Sequence, residues 1–97
     1  MITELAELAC IPGKESELEA AFVAARPLFE RARGCDAVAF RRSIETPGRY
    51  LLVVSWRTLD NHMVDFRESE DFQTWRGLVT PFLAAPPVVE HLETLEA

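Results

Sequence analysis

The chain has 97 residues, enough for one domain but not for two, because a core of this size buries only about two-thirds of the unfolded surface. A net charge of −6 and scattered basic residues disfavour nucleic acid and anionic membrane surfaces as partners. No apolar run reaches the roughly 20 residues that cross a bilayer and residues 1–4 do not begin a leader peptide, so we expect a cytoplasmic protein with a single domain over residues 1–97.

The first half of the chain predicts a strand, a helix and a second strand. Apolar and polar residues alternate over 2–10, which is typical of a strand. Over 14–32 the apolar residues recur at helical spacing, and Pro27 within this pattern predicts a kink rather than an end. Gly34 suits the position after a helix, and a strand pattern follows over 35–44. This strand directs three apolar residues to one face: Val38, Phe40 and Ile44.

The second half predicts a hairpin, two short helices and a last strand. The turn residues 46–48 lead into a strand over 49–56. Thr58 is a suitable N-cap for a short helix, and Ser69 is one for the helix after it. Two adjacent prolines then stop helical structure before a final strand over 88–95.

The third strand is apolar on both faces, although an antiparallel sheet usually exposes one face to water. One face carries Tyr50, Leu52, Val54 and Trp56, and the other carries Leu51 and Val53. The order β-α-β-β-α-β is the split βαβ arrangement of ferredoxin-like α+β folds, in which two helices cover one face of a four-stranded antiparallel sheet. The uncovered apolar face predicts two-fold association with a second copy, so we expect a homodimer.

Four short motifs span almost the whole chain. They are Pro12-Gly13-Lys14, Thr46-Pro47-Gly48, Trp56 followed by His62, and Thr80-Pro81-Phe82 continuing to Pro86. Their order resembles that of the antibiotic biosynthesis monooxygenase family of dimeric α+β barrels. The resemblance implies a small enzyme that inserts oxygen into electron-rich aromatic or quinol substrates without metal, flavin or haem, so we expect no cofactor.

Such a reaction requires little of the protein beyond a suitable pocket. Triplet oxygen reacts slowly with closed-shell molecules unless an electron-rich anion first passes it one electron, and a deprotonated anthrone, hydroquinone or enol can do so. The protein must then position a base, stabilise the anion and exclude bulk water. We expect the partners to be a small aromatic or quinol substrate and molecular oxygen.

Two neighbouring residues on the first short helix are the candidate catalytic groups. His62 shares an apolar stripe with Leu59 and Phe66 and titrates near neutral pH, so it can act as a base, although a lone histidine on such a stripe is also typical of packing. Its position after Trp56 matches the family. Asn61 can donate to a substrate oxygen, and the alternative for it is simple exposure in the first helical turn.

Five aromatic residues are candidates for substrate binding. Trp75 can stack on an aromatic ligand or donate its indole N–H, though its helical spacing also suits a core position. Tyr50, the only tyrosine, can act as a proton donor, and plain sheet packing is the alternative for it. The remaining three shape a pocket whatever it holds: Phe66, Phe72 and Phe82.

Charged residues and cysteines give weaker signals. Arg41, Arg42 and Arg76 can neutralise a developing enolate, or else pair with the many glutamates at the surface. His91 lies close to glutamates in the last strand, which favours titration at the surface. The two cysteines lack a framework of neighbouring ligands, so we expect reduced thiols and no metal site.

Two other functions remain open on the sequence. A non-enzymatic dimer that holds a small hydrophobic metabolite explains the aromatic residues equally well. An isomerase or cyclase would use the same base without oxygen, and fold alone does not separate it from an oxygenase. Dependence of activity on oxygen and on His62 discriminates among the three.

Overall fold

The computed structural model describes residues 1–95, in which four strands form one antiparallel sheet. The strands are β1 (Ile2–Ala9), β2 (Cys35–Arg42), β3 (Arg49–Trp56) and β4 (Val88–Glu93), in the spatial order β2-β3-β1-β4. The helices are α1 (Glu15–Glu30) and α2 (Glu70–Val79), with a π-helix (Asn61–Phe66) before α2 and a 3-10 turn (Thr80–Phe82) after it. This order and pairing confirm the predicted ferredoxin-like α+β fold.

The core lies between the helices and one face of the sheet. On β3, the side chains that face the helices are buried: Tyr50, Leu52, Val54 and Trp56. The intervening Leu51 and Val53 lie on the other face, where they are half-buried. The helices therefore cover the Tyr50 side of the sheet, and α1 contributes the largest apolar stripe to it, with Leu18, Phe22, Ala25 and Phe29 among its buried residues.

Pro27 lies in the last turn of α1, and Gly34 lies in the loop that follows this helix. α1 continues past Pro27, as the sequence predicts, and ends at Glu30. The carbonyl of Pro27 accepts a hydrogen bond from the amide of Arg31 at 3.1 Å. Gly34 then has a φ of +80°, and a Cβ at this position would lie 2.1 Å from Oδ1 of Asn61. Both the backbone conformation and the close contact require glycine here.

Two strands end earlier than the sequence pattern predicts. β2 ends at Arg42, and Ile44, expected on its apolar face, is 93% exposed in the turn that follows. The strand stops because the hydroxyl of Ser43 accepts a hydrogen bond from the amide of Thr46 at 2.9 Å and closes a turn. β4 ends at Glu93, two residues before the predicted boundary.

The first short helix is a π-helix, not the α-helix expected from its apolar spacing. The amide of Arg67 donates to the carbonyl of His62, five residues earlier, at 3.0 Å. This wider turn still directs His62 and Phe66 into the core, whereas Leu59 and Met63 are exposed. Such turns are rare and are frequently found at functional sites.

The outer face of the sheet carries apolar side chains that no helix of residues 1–95 covers. Leu5, Leu51 and Val53 are half-buried at its centre, and Val88 and Leu92 are exposed on β4. This is the face on which the sequence predicts a second copy of the chain.

Candidate functional site

A cavity of about 610 Å³ lies between the sheet and the helices, within the size range of small-molecule sites. The sheet contributes Glu4, Ala6, Leu52 and Val89, and the helical segments contribute His62, Phe72, Trp75 and Val79. Residues 83–87 complete the lining, and the amide of Ala84 holds this segment against β1 by donating to the carbonyl of Ala9 at 2.8 Å. The cavity is therefore largely apolar and has one acidic residue among its sheet residues.

Glu4 is that acidic residue, and it lies on the buried face of β1 with only 4% of its surface exposed. In the sheet it pairs with Val54 of β3 on one side and with His91 of β4 on the other. Its Oε1 accepts a hydrogen bond from Nε1 of Trp56 at 3.0 Å. One carboxyl oxygen is thus fixed by the indole of a fully buried tryptophan.

His62 connects Glu4 to His91. Its Nε2 lies 3.3 Å from Oε1 of Glu4, and its Nδ1 lies 2.7 Å from Nε2 of His91. The imidazole also stacks on the indole of Trp56, with ring centroids 5.3 Å apart and an interplanar angle of 17°. We refer to these three residues, Glu4, His62 and His91, as the acid–histidine chain.

Burial shifts two members of the acid–histidine chain in opposite directions. Desolvation raises the pKa of Glu4 from 4.5 to about 7, although the hydrogen bond from Trp56 and the charge of Arg67 act in the other direction. Desolvation lowers the pKa of His62 from 6.5 to about 4, with smaller contributions from His91 and Arg67. Each group is therefore held near its neutral form, and between about pH 4 and 7 the 3.3 Å contact joins two neutral groups and is not an ion pair.

Two arginines lie at the rim of the cavity beside the ring of Phe72. The guanidinium carbons of Arg67 and Arg76 are 5.8 and 5.9 Å from the centroid of that ring. Within residues 1–95 neither has a carboxylate at ion-pair distance, whereas most of the other arginines do: Arg26, Arg31, Arg42, Arg49 and Arg57. The cavity thus has two cationic groups at its rim in a chain whose net charge is −6.

The predicted aromatic residues are divided between the cavity and the core. Phe72 and Trp75 line the cavity. Phe66 lies deeper, tilted against Trp56 with centroids 5.5 Å apart, and Phe82 is half-buried in the 3-10 turn. Neither Phe66 nor Phe82 is a lining residue, so both shape the site only through packing.

Tyr50 and two of the predicted arginines lie away from the cavity. The hydroxyl of Tyr50 donates to Oε2 of Glu19 at 2.5 Å, and burial together with this contact raises the pKa of Tyr50 to about 12. Arg42 donates to the same carboxylate oxygen at 3.1 Å. Arg41 pairs with Leu51 in the sheet and shares its outer face. Of the three arginines weighed from the sequence, the structure brings only Arg76 to the cavity.

Asn61 also lies outside the cavity lining, in a capping box at the start of the helical region. Its Oδ1 accepts from the amide of Thr58 at 3.2 Å and from the hydroxyl of Thr58 at 2.9 Å. The hydroxyl of Thr58 in turn accepts from the amide of Asn61 at 3.1 Å, and Nδ2 of Asn61 donates to Asp65 at 3.0 Å. Both polar atoms of the Asn61 side chain are thus used within the helical region.

Sequence reasoning overlooks Glu4 and places His91 incorrectly. Glu4 occupies a position in β1 that the two-residue period assigns to the buried face, between Ile2 and Ala6, and a charged residue there was the available signal. His91 is half-buried against His62, not surface-exposed, because β4 pairs with β1 and turns this residue toward the helices. Only the strand register reveals that contact.

Two kinds of feature are absent from the part of the chain that the structure describes. No group of three or more histidine, cysteine, aspartate or glutamate side chains in residues 1–95 is arranged to hold a metal ion. No helix in the same residues has both the length and the apolar character to cross a membrane.

A family model and a curated relative both match this chain over most of its length. The family model described as antibiotic biosynthesis monooxygenase matches residues 1–78. The uncharacterised protein YczJ of Bacillus subtilis is 36% identical over 93 residues, which cover 96% of this chain and 98% of YczJ.

Solved structures show the same fold. The crystal structure of an antibiotic biosynthesis monooxygenase family protein from Bordetella bronchiseptica is 56% identical, with a TM-score of 0.94 over 98% of this chain and 97% of that one. SnoaB, a cofactor-independent oxygenase from Streptomyces nogalater, is 14% identical, with a TM-score of 0.85 over 99% of this chain and 94% of that one. At that identity the likeness to SnoaB is one of fold.

Proposed function

This chain belongs to the antibiotic biosynthesis monooxygenase family, and we propose that it is a cofactor-independent monooxygenase that acts on a small electron-rich aromatic or quinol molecule. The observation that carries the proposal is the cavity of about 610 Å³, in which an aromatic wall lies beside a buried acid–base group. Phe72 and Trp75 provide flat apolar surface for a ring, and Glu4 and His62 provide the means to move a proton.

The reaction needs no external reductant, because such a substrate supplies all four electrons that oxygen requires. An anthrone loses the two hydrogens of its CH₂ group and gains one oxygen as a carbonyl, while the second oxygen atom leaves as water. A hydroquinone that becomes a hydroxyquinone follows the same balance. The protein must remove a proton to generate the electron-rich anion and must return protons as the O–O bond breaks.

The rim arginines support an anionic intermediate. Deprotonation of an anthrone or quinol places negative charge on an oxygen of the ring system, and a guanidinium stabilises such an oxygen strongly when water is largely excluded. Arg67 and Arg76 have no carboxylate at ion-pair distance among residues 1–95, and both flank Phe72. A ring lying against Phe72 would thus place its oxygens within reach of both cations.

Oxygen uptake by the purified, metal-stripped protein tests the proposal. We expect enzyme-dependent uptake with at least one member of a panel of hydroquinones, naphthoquinols and anthrones. Ala85→Trp, which fills the cavity at an exposed lining residue, should abolish uptake, whereas Ala24→Trp on the exposed side of α1 is the matched control and should not. Absence of uptake across the panel would contradict the proposal and favour ligand storage or oxygen-free chemistry.

We also propose that two copies associate through the outer face of the sheet. The support is the apolar set on that face, including Leu51, Val53 and the exposed Leu92. Light scattering at micromolar concentration should give twice the mass of one chain, and Val53→Glu should reduce it to one. A monomeric unsubstituted protein would contradict this association.

A further inference from the structure

We propose that Glu4 is the catalytic residue that exchanges protons with the substrate, and that His62 and His91 are positioning residues that connect Glu4 to solvent. This inference rests on the proposed function, because it names the proton acceptor for that reaction. It differs from the simplest reading of the sequence, in which His62 itself is the base.

Both ring nitrogens of His62 already contact other side chains. Nε2 faces Oε1 of Glu4 at 3.3 Å, and Nδ1 faces Nε2 of His91 at 2.7 Å. An imidazole has only these two sites for gaining or losing a proton. His62 therefore cannot take a proton from a substrate without breaking one of the two contacts.

Glu4 has one carboxyl oxygen, Oε2, that is available to a substrate. Oε1 receives both the indole N–H of Trp56 and the contact with His62, while Oε2 takes part in no hydrogen bond among residues 1–95. No side-chain oxygen in those residues is both fully buried and without a partner, so Oε2 retains contact with open space. Because Glu4 lines the cavity, that space is the proposed substrate site.

The acid–histidine chain has two protonation patterns in which each of its two contacts can be a hydrogen bond. With Glu4 ionised, Nε2–H of His62 donates to Oε1, and Nε2–H of His91 donates to Nδ1 of His62. With Glu4 protonated on Oε1, the carboxyl donates to Nε2 of His62, and Nδ1–H of His62 donates to Nε2 of His91. The second pattern has one more proton than the first, and it is reached when Nδ1 of His91 takes a proton and each hydrogen bond shifts by one place.

The surroundings favour a carboxyl that changes protonation near neutral pH. The groups that face Glu4 are His62 from the π-helix, His91 from β4, Arg67 from the residue after the π-helix, and the thiol of Cys35 from β2. Burial is the largest influence and raises the pKa of Glu4 to about 7. A general base is most effective when its pKa lies near the working pH.

With an anthrone as substrate, the balanced sequence uses Glu4 twice. Oε2 takes one CH₂ proton, and the resulting anion reduces oxygen and forms a C–O bond to a peroxide, which recovers the proton from Glu4. Glu4 then takes the second C–H proton as the O–O bond breaks and the carbonyl forms. It returns this proton to the departing hydroxide, which leaves as water, and Glu4 is ionised again. His62 and His91 allow Glu4 to regain the correct charge by exchange with solvent.

The first test needs no substrate. The chain contains two histidines, His62 and His91, so imidazole ¹⁵N signals can be followed from pH 4 to 9 with simple assignment. We expect the signals of His62 to report a titration step near pH 7, the value to which burial raises the pKa of Glu4, and this step should disappear in Glu4→Gln. The step should persist in Glu7→Gln, the matched control on the outer face of the same strand. A step near pH 7 at His62 that survives in Glu4→Gln would overturn the coupling between Glu4 and His62.

The second test uses the most active substrate of the oxygen-uptake panel. Glu4→Gln keeps an oxygen for Trp56 and should lower kcat/KM at least about 100-fold, the usual effect of losing a general base. His91→Gln, which removes the proposed connection to solvent, should lower kcat less than Glu4→Gln does and shift the midpoint of the pH profile, with little change in KM. Retained activity in Glu4→Gln together with lost activity in His62→Gln would overturn the inference and make His62 the base.

The two tests separate failure of the inference from failure of the proposed function. Uptake that is unaffected by Glu4→Gln leaves the monooxygenase in place and removes the role of Glu4. Absence of uptake in the unsubstituted protein removes the oxygenase together with this role for Glu4, and the histidine titration then decides whether the proton connection alone exists.

Discussion

Replacing Glu4 with glutamine should change how the stability of the fold depends on pH. The folded chain binds the Glu4 proton more tightly than the unfolded chain does, since its pKa rises from 4.5 to about 7. The contribution of Glu4 to the free energy of unfolding is therefore fully present below pH 4.5 and is lost as the pH rises through about 7. At about 1.4 kcal/mol for each pKa unit, the complete loss is roughly 3 kcal/mol.

His62 has the opposite dependence. Its pKa falls from 6.5 to about 4, so its contribution is present above pH 6.5 and is lost as the pH falls through about 4. In the unsubstituted protein the two slopes cancel between about pH 4.5 and 6.5. Glu4→Gln should leave the rising slope of His62, and His62→Gln should leave the falling slope of Glu4.

These slopes are measured by urea denaturation at several pH values between 4.5 and 8, with tryptophan fluorescence as the signal for unfolding. The difference in unfolding free energy between Glu4→Gln and the unsubstituted protein should grow by roughly 3 kcal/mol across this range, in favour of the variant. Glu7→Gln should show no such growth. Parallel curves for Glu4→Gln and the unsubstituted protein would refute the claim that burial raises the pKa of Glu4.

Three further substitutions separate binding, capping and packing roles. Asn61→Ala should lower the free energy of unfolding by about 1 kcal/mol, because it breaks the capping box with Thr58. It should leave kcat for oxygen uptake unchanged, and a fall in kcat at unchanged stability would restore the catalytic role predicted from the sequence. Arg76→Gln should raise the KM of quinol substrates several-fold more at 10 mM than at 300 mM salt, and an effect independent of salt would contradict an electrostatic role. Tyr50→Phe removes the hydrogen bond to Glu19 and should lower the free energy of unfolding by about 1 kcal/mol, while oxygen uptake stays unchanged. Loss of uptake in this variant would place Tyr50 in the site after all.

The fold could be predicted from local signals because its strands and helices have clear periods and turns. The alternation over β3 places Tyr50 and Trp56 on one face, and the structure buries both. The Ser69 cap is present, with Oγ accepting from the amide of Phe72 at 3.2 Å. The π-helix was not predictable from apolar spacing, because Leu59, His62 and Phe66 fit an α-helical stripe equally well.

The site was only partly predictable because strand pairing assembles it. His62 stands out in the sequence as a titratable residue on an apolar stripe, and it lines the cavity. Its two partners come from β1 and β4, at opposite ends of the chain, and neither Glu4 nor His91 has a local signature that links it to His62. Phe66 and Phe82 resemble Phe72 in the sequence, and only the packing of the helices decides which ring reaches the cavity.

Incorporation of oxygen from ¹⁸O₂ into product tests the central claim most directly. The protein would be incubated with the best substrate of the panel under ¹⁸O₂ in unlabelled water. The mass of the product would be measured by mass spectrometry before its carbonyl oxygen exchanges with solvent. The proposed monooxygenase predicts one ¹⁸O atom in each product molecule. A product that forms without ¹⁸O would contradict it, and a product that forms at the same rate without oxygen would identify the cavity as a site of oxygen-free chemistry.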